Sequence, residues 1–97
     1  MAWQFSLAHL TALQCSPPQF IEIAARAGYA FVGLRPIPVG ARSEPIHPFA
    51  TDRALFIRTK AALAATGVQL LDIEVARIIK EAKPRDYLPA MEAAAQL

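Results

Sequence analysis

Apolar and polar positions along this chain are arranged in blocks that recur. Three apolar stretches, residues 5–10, 31–35 and 69–75, read as strands, and each is followed by a loop and a helical pattern. After the first stretch, Ser16-Pro17-Pro18-Gln19 supplies an N-cap, a proline suited to the first helical position and a capping-box glutamine. The helix is expected to carry Phe20, Ile23, Ala24 and Ala27 on one face and to stop at Gly28. A second helix is predicted from Thr51 or Asp52, presenting Leu55, Thr59 and Leu63 with Ala62 beside them, and stopping at Gly67. A third begins near Asp86 and runs through AMEAAAQL.

The joins repeat as well. AARAGYAFVGLR and ALAATGVQLLDIE both run helix, glycine, one or two residues, strand. Joins this short fit βαβ units with parallel strands and right-handed crossovers. The expected class is α/β: a partial (β/α)8 barrel of three βα units, strands in the order 1-2-3 and helices on one face. The next glycine and strand would fall just past Leu97. Such a slice leaves its inner face and two strand edges bare, so further strands or another chain must cover them.

Alternation along the strands sorts their faces. On the third, Leu71, Ile73 and Val75 are assigned to the helices, and Leu70, Asp72 and Glu74 to the inner side. On the second, Val32 and Leu34 point to the helices, leaving Phe31, Gly33 and Arg35 inward. Ser6 and Ala8 are the inward set of the first. Arg35 and Glu74 fall near the C-terminal ends of their strands, where barrel enzymes build active sites. They are expected within ion-pair or single-water reach, either as a structural pair or as substrate contacts. His9, at the end of the first strand, has two readings: a rim contact to substrate, or a ring bonded to a neighbouring loop.

Residues 36–50 form a proline-rich connection, longer than the usual ~2–6 residues of a βα loop. It carries Arg42, Glu44 and His47 and reads as a lid or a stiff cover. Cys15 has no basic neighbour to activate it, so a catalytic thiol is not expected.

Composition changes the picture in three ways. Apolar residues make up 55% of the 97 and charged ones 19%, a surplus that suggests surface meant to be covered. The formal charge of +2 is small and scattered, which argues against nucleic acid. One cysteine forms no internal disulfide, residues 1–15 lack a basic leader, and no run approaches the ~20 apolar residues of a membrane span. A soluble cytoplasmic protein is expected, with no membrane partner.

FSLAHLTAL, SPPQFIEIAARAGYAFVGLR and TGVQLLDIEVARI together resemble the N-terminal third of xylose isomerase-like TIM-barrel proteins, the sugar phosphate isomerases and epimerases. The likeness covers nearly the whole chain. It implies that residues 1–97 are the N-terminal part of one eight-stranded barrel. It also implies a divalent metal (Mn, Mg, Co or Zn) and proton transfer beside a carbonyl, which isomerises or epimerises a small carbohydrate or polyol. In that family the metal ligands and the acid/base pair lie mostly on later strands. No catalytic residue or metal ligand is therefore assigned to this chain, and it is expected to bind no metal and to be inactive alone. The positions carried over are His9, Arg35, Glu74 and Arg77, as substrate contacts. Metal-dependent DNA-repair nucleases of the same superfamily use histidine ligands on early strands, whereas the third strand here offers Glu74. The alternative is a non-catalytic α/β module that completes its sheet by self-association or with a partner chain. A reading frame running on past Leu97 into glycine and a fourth strand favours the enzyme, and a stop codon there the module.

Overall fold

The computed structural model describes residues 3–37, 45, 47–76, 80–81 and 83–97. Strand β1 (Ser6–Ala8) passes through a 3-10 turn (His9–Ala12) to helix α1 (Pro17–Arg26) and strand β2 (Phe31–Leu34). Helix α2 (Arg53–Thr66), strand β3 (Gln69–Ile73), a second 3-10 turn (Pro84–Tyr87) and helix α3 (Leu88–Ala95) follow. The three strands form one parallel sheet in the order β1-β2-β3. No helix among the described residues is long and apolar enough to cross a membrane.

Local chemistry sets the helix ends. Ser16 caps α1 with a full capping box: Gln19 Oε1 accepts from the Ser16 N–H at 3.2 Å, and Ser16 Oγ accepts from the Gln19 N–H at 3.5 Å. Asp52 caps α2, its Oδ1 accepting from the Leu55 N–H at 3.0 Å. Gly67 ends α2 at φ +77°, a left-handed conformation that glycine adopts without a Cβ penalty. The third helical segment opens as the 3-10 turn that holds Asp86 and becomes α-helical only from Leu88.

The core lies between the sheet and the helices. Val32 and Leu34 point into it from β2, and Phe20, Ile21 and Ala24 of α1 meet Leu55, Phe56 and Leu63 of α2 above them. Ala93 and Leu97 reach the same cluster from the chain's last helical segment. Two expected faces need correction. On α1 the buried set is Pro17, Phe20, Ile21 and Ala24, while Ile23 is exposed. The stripe follows i, i+3, i+4, i+7 from Pro17, and Ile23 lies off it. On β3 the strict alternation fails. Val32 pairs with Leu70 but Gly33 with Asp72, so Leu71 is an extra residue in an irregular register. Leu70 and Ile73 both pack on the core instead of falling on opposite faces, and Leu71 is exposed. Val75, assigned to the helices, lies past the end of β3 and is also exposed.

Candidate functional site

The register irregularity leaves the inner face where the alternation placed it from Asp72 onward. Asp72 sits beside Gly33, and a Cβ built on Gly33 would collide with Asp72 Oδ1 and come within 3.1 Å of Glu74 Oε1. The two carboxylates of β3 and its end thus share one patch of sheet because Gly33, beside them on β2, has no side chain. Arg35, one residue past β2, donates from Nη2 to Glu74 Oε2 at 3.1 Å. Both side chains are largely enclosed, at 10% and 18% exposure, so this ion pair is better shielded from solvent than a surface one. Asp72 is exposed.

His9 locks the ends of all three strands together. Its backbone N–H donates to Glu74 Oε1 at 3.2 Å, and its ring Nδ1 accepts from the Arg35 N–H at 3.0 Å. Nε2 lies 2.9 Å from the Cys15 carbonyl. With Nδ1 accepting, Nε2 must carry the proton and donate, which fixes one neutral tautomer. The ring is fully buried between Phe20 and His47, each stacked with its centroid 4.8 Å away. Burial holds the His9 pKa below its usual value; His47 and Arg35 push the same way, against the Cys15 carbonyl and Glu74. Of the two readings of His9, the loop-bonded ring is the arrangement found, and both ring nitrogens are committed to backbone groups.

His47 and Phe49 fold inward from the long loop. His47 Nε2 donates to the Leu13 carbonyl at 2.8 Å, and Phe49 enters the core at 1% exposure. This end of the loop is a structural cover; Arg42 and Glu44 lie outside the described residues, as does the candidate contact Arg77. Cys15 is half-buried against the core and serves the site through its carbonyl. The stacking of His47 on His9 was not legible in the sequence, because the two lie 38 positions apart; a histidine five residues before a helix cap is no signal by itself.

Chemically, the rim offers an exposed carboxylate, a shielded carboxylate and a guanidinium on the face opposite the helices. This set can accept hydrogen bonds from hydroxyls and donate to a carbonyl or phosphoryl oxygen. It does not fit a resident divalent cation. Among the described residues no three His, Cys, Asp or Glu side chains are grouped to hold one, and both Glu74 oxygens are already engaged. No family model, curated protein or solved structure matches this chain.

Proposed function

We propose that this chain supplies part of the substrate-binding rim of a xylose isomerase-like (β/α)8 barrel acting on a small carbohydrate or polyol. One observation carries the reading: Arg35, Glu74 and Asp72 converge at the C-terminal ends of adjacent parallel strands, on the side away from the helices. That is where barrels of this architecture bind ligands. Arg35 and Glu74 are the proposed contacts, with Arg77 carried over from the resemblance; His9 acts behind them as a positioning residue. The proposed reaction of the full barrel is metal-assisted isomerisation or epimerisation. Since the described residues do not fit the metal, the chain's part is to bind and orient. The lone cysteine fits a reducing compartment, and the cytoplasm is the proposed setting.

Saturation-transfer NMR with a panel of ketoses, aldoses and their phosphates tests this. The expected result is weak, saturable binding that is lost in Arg35→Met, with no turnover when manganese is added. Absence of binding by any sugar would reject the reading. Turnover abolished by a chelator would reject the placement of the catalytic groups on other strands.

A second reading, the self-associating module, is favoured by exposed apolar side chains beside the two edge strands, Phe5 at β1 and Leu71 in β3.

A further inference from the structure

We propose that the neutral His9 ring is a pH-operated latch on this rim: protonating it releases the Arg35 backbone and, with it, the Arg35–Glu74 pair. The inference concerns the same residues as the proposed binding rim and rests on that reading only for its consequence; its tests need no ligand.

The geometry makes the ring unable to take a proton in place. Nδ1 is the acceptor for the Arg35 N–H at 3.0 Å, and a proton there would set donor against donor. Nε2 already donates to the Cys15 carbonyl, and turning the ring over would put its carbon edge, Cε1–H and Cδ2–H, against the Cys15 carbonyl and the Arg35 N–H, losing both bonds. The ring has little freedom to swing aside, being enclosed between Phe20 and His47. A charge at His9 also faces Arg35 from the end of β2, Glu74 from beyond β3 and His47 from the loop before α2, while α1 presents only the uncharged Phe20. Of these charges only Glu74 attracts, and it is held by Arg35; an imidazolium that turned to Glu74 would compete with the guanidinium for it. Either route loosens Arg35.

The sign follows from the lowered pKa. An unfolded His9 takes its proton near 6.5, whereas the folded ring resists it to lower pH. The stabilisation is therefore whole above about pH 6.5 and is lost as pH falls from there through the folded value.

Histidine C2-hydrogen exchange followed by mass spectrometry reads each ring's midpoint in a monomer or an assembly alike. Amide exchange of the peptide spanning residues 31–37, corrected for intrinsic rate, reads the Arg35 backbone. Expected are a His9 midpoint below 6.5 and loss of amide protection at that same midpoint. In His9→Asn, whose Oδ1 can accept from the Arg35 N–H but does not titrate, protection should become independent of pH. His47→Phe keeps the stack without the charge and should raise the His9 midpoint. A His9 midpoint at or above 6.5, or protection that persists through it, overturns the latch. If His9→Asn is unprotected at every pH, the wild-type coincidence of the two midpoints decides alone.

Discussion

Glu74 accepts from just past the ends of two strands at once, through Oε1 from the His9 backbone and through Oε2 from Arg35. Glu74→Ala removes both acceptors, and hydrogen bonds to a charged group are worth about 1.5–3 kcal/mol each when they are shielded. A loss of roughly 3 kcal/mol or more is expected, whereas Glu74→Gln keeps an oxygen for the His9 N–H and should lose less. Urea midpoints at one fixed protein concentration measure the difference. Gly33 gives a finer test. Its added methyl would strike Asp72 Oδ1, the tip of an exposed side chain that can rotate away, but also crowds Glu74, which its two bonds hold in place. Gly33→Ala should therefore cost about 1 kcal/mol or a little more. Adding Asp72→Ala should recover only part of it, and full recovery would show that Glu74 yields freely.

At the scale of elements, the two helix caps differ in a way that stability can report. The Asp52 cap bond is 3.0 Å long and the Ser16 one 3.5 Å, at the limit of a useful hydrogen bond. Asp52→Ala is expected to cost about 1 kcal/mol and Ser16→Ala about half that, measured as shifts in the unfolding midpoint. Equal shifts would mean that the serine hydroxyl caps α1 as well as the aspartate caps α2, despite its longer bond. These caps were legible in the sequence because they are local: Ser16-Pro17-Pro18-Gln19 and Asp52 announce helix starts, and Gly67 a stop, through chemistry confined to a few neighbouring residues. The parallel order of strands followed from the same local joins. The face of Leu70 and Leu71 was not legible, since an extra residue in β3 leaves no mark in a run of apolar side chains and inverts the alternation before it. The Arg35–Glu74 pair survived that error because both residues lie beyond the irregularity. The buried stack of His9 on His47 depends on how a long loop folds back, which no periodicity encodes.

For the whole molecule, the question is what covers the surface that the three strands leave open. The helices protect the side of the sheet bearing Val32 and Leu34, while β1 and β3 are the two edge strands among the described residues. Trp3 is 86% exposed and Phe5 61%, next to β1; Leu71 at 57% and Met91 at 51% stand by β3. Burying side chains of this kind is worth roughly 1.5–3 kcal/mol each, so leaving several in water forfeits much of the ~5–15 kcal/mol by which domains are stable. A parallel edge at each end also lets β3 of one copy lie beside β1 of another, a head-to-tail contact that can repeat. The isolated chain is therefore expected to associate with rising concentration and to bind a hydrophobic dye strongly, rather than to behave as a well-folded monomer. Sedimentation velocity over a range of concentrations reads the association. Trp3, the chain's one tryptophan, should report it through a blue shift of its emission as solvent leaves it. Phe5→Lys and Leu71→Lys place a charge beside opposite edges, and either should weaken association if the contact runs edge to edge. A sharp, cooperative melt from a strictly monomeric species that binds no dye would mean that these edges do not govern the chain's behaviour in solution.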